Sequence, residues 1–401
     1  MSALLPLEEA LSRVLAGAIP VADVLELPLL EALGRVLAQD VVSDIAVPGG
    51  DNSAMDGYAL RAADAAGPLP VSQRIPAGSV GAALQPGTAA RIFTGAEIPP
   101  GADAVVMQEN CVLEDGTITV SGPVRIGQHI RPRGQDIAAG ETVLGAGRIL
   151  RPQDLGLLAS VGCASASVYR PLRVAVLSTG DELREPGSGK LRSGQLYNSN
   201  RYTIAGLLRS LNLEFIDGGI VPDDPEFTAS ALLAAAESAD VVISSGGVSV
   251  GEEDHVKNQV ERLGSLDLWK LAIKPGKPLA FGRIGDTPFI GLPGNPSSVF
   301  VTFCLVARPF LLKMQGVTEA GAPSLQAQAA FSSTKPGGRQ EYLRVTLENT
   351  DKGLQAMAFG NQSSGVLSSV SHSNALAVIP PGTVVAQGDK VEVLLLDLLT
   401  R

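Results

Sequence analysis

Apolar residues at the start of the chain fall at Leu4, Leu7, Leu11, Val14 and Leu15, the spacing of one face of a helix. The pattern predicts an amphipathic helix over residues 3–16, and a second helix-like apolar stretch covers 28–38. From about 45 to 145 the texture changes to short β-branched runs broken by Gly and Pro. Ala104–Met107, Thr117–Val120 and Glu141–Leu144 are examples, and they predict a small β-rich module with hairpins. Residues 152–168 read as helical and then extended.

From Leu172 strands and helices alternate. Strands are expected at Arg173–Leu177, Leu213–Ile216, Val241–Ser244 and Leu268–Leu271, and helices at 199–211, 225–238 and Glu253–Leu263. Asp224 before Pro225 is a good cap and first-turn pair for the second of these helices. A hairpin near 279–291 and a long helix over 297–313 complete the unit. Such alternation implies a mainly parallel sheet with helices on both faces, whose ligands bind beyond the carboxyl ends of the strands. After about 317, Tyr342–Val345, Ala375–Ile379 and Val391–Leu395 predict a compact C-terminal β domain.

At 401 residues the chain has room for two or three domains. Aromatics are only 4%, so the cores must be built from Ala, Val, Leu and Ile. The net charge of −10 argues against a nucleic-acid binder and requires a local basic cluster for any anionic substrate. Cys111, Cys163 and Cys304 form no CxxC pair, and His129, His255 and His372 are scattered. A disulfide framework or zinc centre is therefore not expected. No basic segment precedes an apolar run at the N-terminus, and no uncharged apolar run approaches the roughly 18 residues of a membrane span. The expectation is a cytoplasmic protein that binds neither nucleic acid nor membrane.

Candidate chemistry lies in the loops. Ser244-Ser-Gly-Gly-Val-Ser-Val-Gly-Glu-Glu-Asp254 follows a strand and opens a helix, so Gly246 and Gly247 can free amides for an anion. Asp254 there would repel a phosphate unless a cation lay between them, which suggests Mg²⁺. A Gly-rich turn with an acid at a helix start would explain the same letters. Lys270, Lys274 and Lys277 fall at a strand end, with prolines stiffening the loop; surface lysines are the ordinary alternative. Gly291-Leu-Pro-Gly-Asn-Pro-Ser-Ser298 reads at least as a capped helix start. Asp181 and Glu182 could position a hydroxyl or amine, or be simple helix-entry acids. Gly187-Ser-Gly-Lys190 is no Walker loop, because Arg184 and Leu191 replace required residues. No dinucleotide fingerprint opens a helix either. Pro48–Ala59 packs Asp51, Asn52, Ser53 and Asp56 together, and Arg91–Ala96 carries Thr94; turn formation accounts for both, though the same groups suit ligand work.

Together Asp51–Ala59, Ile92–Ala96, Ser178–Glu182, Ser244–Gly251, Ile273–Pro278 and Gly291–Pro296 resemble, in order, the molybdopterin molybdenumtransferases, the MoeA and gephyrin E-domain family. The resemblance implies insertion of molybdate into adenylated molybdopterin with release of AMP. It implies four subdomains: 21–44 with 141–170, 45–140, 1–20 with 171–316, and 317–401. It further implies an elongated homodimer in which Asp51–Ala59 reaches the partner's cleft, and a transient contact with the molybdopterin-adenylating enzyme. By the same resemblance Gly246, Gly247, Ser249 and Asp254 hold adenylate phosphates and Mg²⁺. Lys270, Lys274, Lys277, Pro278, Pro293, Asn295, Pro296 and Ser297 seat molybdate and the pterin phosphate. Arg344 and Ser364 are oxyanion contacts of the C-terminal domain, and Asp56, Thr94, Glu182 and Asp223 line the cleft. The central unit also resembles molybdopterin adenylyltransferases, and the gephyrin version of the fold serves as a dimeric scaffold. The added modules and the retained charged loops favour insertion over both.

Overall fold

The structure is a computed structural model and describes residues 4–247, 255–321 and 323–400, with the backbone alone at Leu268. Among these, six strands form the central sheet: β1 (Arg173–Thr179), β2 (Glu214–Val221), β3 (Val241–Ser245), β4 (Gly264–Lys270), β5 (Pro278–Ile284) and β6 (Thr287–Leu292). Their order is β2–β1–β3–β6–β5–β4. The first four run parallel, and β5 and β4 finish one edge antiparallel.

Both phases of β1 and β3 are apolar, so the sheet buries both faces. Val174, Val176, Val241 and Ile243 share a core with helix Ser199–Ser210 and with the long helix Pro296–Met314. Ala175, Leu177 and Val242 share another with helices Pro225–Ser238 and His255–Leu263. Pro296–Met314 is the one described helix long and apolar enough to cross a bilayer, and 89% of that stretch is buried inside the protein. It is the axis of the core. Pro309 has no N–H to give, and its ring crowds the carbonyl four residues earlier. The helix widens to a π turn over Phe303–Ala307, just before it.

The N-terminal helix, Leu7–Ala16, inserts Ala10 and Val14 into the first of these cores. Leu5 is tied to the sheet edge by its N–H to Lys270 O (2.8 Å) and its carbonyl from Ala272 N (2.7 Å). The chain then leaves the sheet. Val24–Pro28 pairs with Ser165–Tyr169, and Val41–Val42 with Thr142–Leu144. Between them, six described strands from Gly57 to Val120 form a separate sheet, order 104–57–89–69–117–111 by first residue.

The helix expected over 28–38 is not formed. A single 3-10 turn, Leu29–Glu31, is followed by Gly34 at φ +73 and by bridges from Val36 to Ile149 and Leu37 to Val168. The apolar residues there bury Ala32 and Leu37 against Leu158 and Val168 by extended pairing instead.

The C-terminal sheet comprises Ser324–Ala329, Gln340–Thr350, Gly353–Ala358, Ala375–Ile379 and Lys390–Leu395. A two-residue strand of the central unit, Ile273–Lys274, joins its edge in parallel with Gln340–Glu341. Tyr342, Leu376 and Leu396 reach into the central core. That shared core places the C-terminal sheet beside the loops after β3 and β6.

Candidate functional site

Past the carboxyl ends of the parallel strands lies a cavity of about 1070 Å³. Chain direction across the sheet reverses at β1, whose successors lie on opposite sides, and such reversals open a crevice between adjacent loops. Thr179, Gly180 and Glu182 line it from the loop after β1, and Asp223 from the loop after β2. Ser245, Gly246 and Gly247 follow β3, Pro293–Pro296 and Ser298 follow β6, and Lys274–Pro278 forms another side. Arg339 and Gln362–Gly365 of the C-terminal domain close it.

Gly246 and Gly247 sit at φ +94 and +67. A Cβ on Gly247 would stand 2.6 Å from Val256 Cγ2 and 2.9 Å from Thr179 Oγ1, so only glycine lets this loop lie against the end of β1. Among the described residues the Thr179 hydroxyl has no hydrogen-bond partner. Asn198 caps helix Ser199–Ser210 by accepting from Arg201 N at 3.3 Å. Asn200 Nδ2 donates to Ser245 Oγ (2.9 Å) and Gly294 O (2.7 Å), fastening the loops after β3 and β6 together.

The basic wall is built by the turn Lys274-Pro-Gly-Lys277, with a cis Lys274–Pro275 bond and Gly276 at φ +105 packed on Thr302. Both lysines are exposed. Lys274 Nζ donates to Glu341 Oε1 at 3.1 Å, and Arg339 Nη1 to Ile273 O at 3.0 Å. Opposite stand Glu182 and Asp223; Asp223 accepts from Asp181 N, and Asp181 from Asp223 N, each at 3.2 Å. These carboxylates and the Thr179 hydroxyl, unpartnered among the described residues, are hard oxygen donors of the kind Mg²⁺ takes. Among the described residues no three His, Cys, Asp or Glu side chains converge. The set therefore fits a Mg²⁺ shared with substrate phosphates rather than an all-protein cage.

Of the residues singled out in the sequence, Glu182, Asp223, Gly246, Gly247, Lys274, Lys277, Pro278, Pro293, Asn295, Pro296 and Ser364 line this cavity. Ser249 and Asp254 lie outside the described residues. Five of the singled-out residues, Lys270, Ser297, Asp56, Thr94 and Arg344, do not line this cavity within the chain. Lys270 lies on edge strand β4 opposite Pro278 and is not part of the wall. Ser297 is fully buried; its Oγ donates to Val366 O (2.7 Å) and its N–H to Ser364 O (3.0 Å), so it joins the core helix to the C-terminal loop. Asp56 and Thr94 sit in the distant β module. There Thr94 N and Oγ1 both donate to Asp56 Oδ1 at 2.8 Å, and these bonds hold that carboxyl below its ordinary pKa. Arg344, expected to contact an oxyanion, is 1% exposed behind the wall. Its guanidinium donates to Ser369 Oγ, Tyr342 O and Ser363 O at 3.1–3.3 Å, and burial pushes its pKa down to about 10.

Arg339, Thr179, Asn198 and Asn200 line the cavity without having been singled out, and Ser298, at the capped helix start, lines it too. A signal for Arg339 existed: strand alternation puts Arg344 on the same face as the core residue Tyr342, which leaves Arg339 and Glu341 on the other.

Known proteins match this chain over most of its length. Residues 5–162 match the family described as MoeA N-terminal region (domain I and II), 175–313 the probable molybdopterin binding domain, and 326–396 the MoeA C-terminal region (domain IV). The molybdopterin molybdenumtransferase of Haemophilus influenzae is 44% identical over 350 residues, 86% of each chain. This chain belongs to the MoeA family. Molybdopterin molybdenumtransferase 2 of Mycobacterium tuberculosis is 37% identical over 95% of this chain and 97% of its own. The crystal structure of the molybdopterin biosynthesis MoeA protein of Pyrococcus horikoshii superposes with a TM-score of 0.85 at 33% identity, covering 98% of this chain and 100% of that one. The MoeA assignment places the protein in molybdenum cofactor biosynthesis and makes it a transferase of multidomain α/β architecture with β-rich modules.

Proposed function

We propose that this chain inserts molybdate into adenylated molybdopterin, releasing AMP and leaving the molybdenum cofactor. The observation that carries the reading is the convergence, in a chain of net charge −10, of Lys274, Lys277 and Arg339 with the Gly246–Gly247 backbone in one cavity. All the ligands of this reaction are anions. A fixed set of cations and amides serves them best in a site shielded from water.

Gly247 offers its amide to the adenylate phosphates, while the Gly246 N–H is given to Leu292 O (3.2 Å) and fixes the loop against the end of β6. Lys274, Lys277 and Arg339 neutralise molybdate and the pterin phosphate while dithiolene sulfurs displace oxo groups. Arg344 supports the same reading, because no carboxylate pairs with it among the described residues. A buried cation without a counter-ion is costly, and an oxyanion drawn to the Ser363 wall would offset that cost. Glu182 and Asp223, with Asp254 of the undescribed loop, would hold Mg²⁺, which when bound offsets charge on the phosphoanhydride. No protein nucleophile is required.

The same reading has the protein act as a cytoplasmic homodimer, supplied by transient contact with the adenylating enzyme. Leu25, Leu30, Leu33, Val42 and Ile45 are exposed apolar residues of one N-terminal segment, Leu30 by 89%, and such a patch suits a chain-to-chain contact. In a dimer of this kind Asp56 and Thr94 would serve the partner's cleft.

The test is AMP release from purified adenylated molybdopterin with Mg²⁺, with and without molybdate. Release that depends on molybdate, with a product that reconstitutes a molybdenum-free molybdoenzyme, is the expected result. ATP consumption with molybdopterin as substrate would instead indicate an adenylyltransferase. Absence of both activities would leave a scaffold.

A further inference from the structure

One carboxylate, Glu341, pairs with the basic wall of the cavity without lining it. Lys274 and Lys277 flank the same rigid turn and are both exposed. Among the described residues Lys277 makes no ion pair, whereas Lys274 Nζ lies 3.1 Å from Glu341 Oε1. That contact is set by backbone register: Ile273–Lys274 runs parallel to Gln340–Glu341, with Lys274 directly opposite Glu341. Arg339 Nη1 holds the same two-residue strand by bonding Ile273 O. Glu341 is therefore carried to Lys274 by a different domain from the one that displays the lysine. Its side chain is 20% exposed against 49% for Lys274, and of the two only Lys274 lines the cavity.

We propose that Glu341 is an internal counter-anion for Lys274, neutralising its ammonium until an incoming oxyanion takes the carboxylate's place. This rests on the reading of the cavity as an oxyanion site. Glu341 touches no substrate in this account. It is a positioning residue acting through Lys274, and it keeps oxyanion affinity moderate so that molybdate can be taken up and passed on. A half-exposed ion pair contributes little to stability, so an arriving dianion can break it. The exchange swaps a monovalent partner for a divalent one and couples anion binding to the seam between the central and C-terminal domains.

The test is a double-mutant cycle read by calorimetric titration of the full-length protein with molybdate, alongside nitrate as a monoanion. Glu341→Gln should tighten molybdate binding about two- to five-fold, the worth of one exposed ion pair. A similar factor is expected for nitrate, because the cost of breaking the Lys274–Glu341 pair is the same whichever anion breaks it. In the Lys274→Gln background the gain from Glu341→Gln should shrink towards one-fold. Thermal unfolding of each variant separates binding from folding. Unchanged or weaker molybdate binding in a folded Glu341→Gln protein would overturn the inference while leaving the oxyanion site intact. An equal gain with and without Lys274 would overturn it too, by showing plain repulsion. If the wild-type protein binds no molybdate, both this inference and the site reading fall.

Discussion

Arg344 lies in strand Gln340–Thr350 and Arg339 just before its start, yet the two do different work. Period-two alternation sends Arg344 inward beside Tyr342, where all its hydrogen bonds go to neutral groups. Arg339 stays at the cavity surface. The short motif made the segment recognisable, but the facing of each guanidinium depends on how Gln340–Thr350 is inserted in its sheet. An anion that reaches Arg344 should restore its depressed proton affinity and stabilise the fold. Molybdate at a hundred times its Kd is expected to stabilise the wild-type protein by about 2.7 kcal/mol. Arg344→Met should lose most of that gain while keeping a wild-type circular dichroism spectrum, and thermal unfolding with and without molybdate measures it. A full ligand-induced shift in the variant would remove Arg344 from the oxyanion site.

Elements with a local end signal were legible to within a residue. Helix Pro225–Ser238 starts where Asp224 and Pro225 predict, with Asp224 Oδ1 accepting from Glu226 N (2.9 Å) and Phe227 N (3.0 Å). Asp224→Ala should therefore cost about 1 kcal/mol in urea unfolding, and an unchanged midpoint would show that the cap is dispensable. The stretch 28–38 had apolar spacing but no such signal. Its buried residues satisfy a helix pattern and an extended one alike, and contacts with 149 and 168 decide between them. The long helix was legible in extent, while its π turn follows from Pro309. The loop lysines were legible because Pro and Gly punctuate them. Glu341 was not, since its role depends on a strand pairing 67 residues away.

Across the whole molecule, an ion-pair network ties the N-terminal region to the central sheet. Arg170 bridges Asp23 (2.6 Å) and Asp240 (2.6 Å), and Arg173 donates to Asp240 through both its N–H (2.7 Å) and its Nη2 (3.2 Å). Burial alone would raise the Asp240 pKa, but the hydrogen bonds from Arg170 and Arg173 outweigh it and hold the carboxyl at about 2. A carboxylate held below its ordinary value of about 3.9 binds protons more weakly in the folded state. Its stabilisation is complete above about pH 5 and is lost as pH falls from roughly 4 to 2. Asp240→Asn is thus expected to lower the melting temperature at neutral pH, with the two proteins converging toward pH 2. Parallel curves across that range would dismiss the network as an acid-labile tie.

The order of apolar and polar residues determined by itself that a parallel sheet is wrapped on both faces, because β1 and β3 have no polar phase to turn to water. Glycine and proline at the strand ends determined where the loops lie, and their letters carried the family resemblance. These are local properties, set by the backbone within a few residues. Which charges meet was decided only in three dimensions. Ser297 and Arg344 went behind the wall, Asp56 and Thr94 went to another module, and Arg339 and Glu341 came to the lysine turn. Electrostatic partnership acts through space over a few ångströms, and here the packing of one domain's edge strand into another's sheet brings those ångströms about.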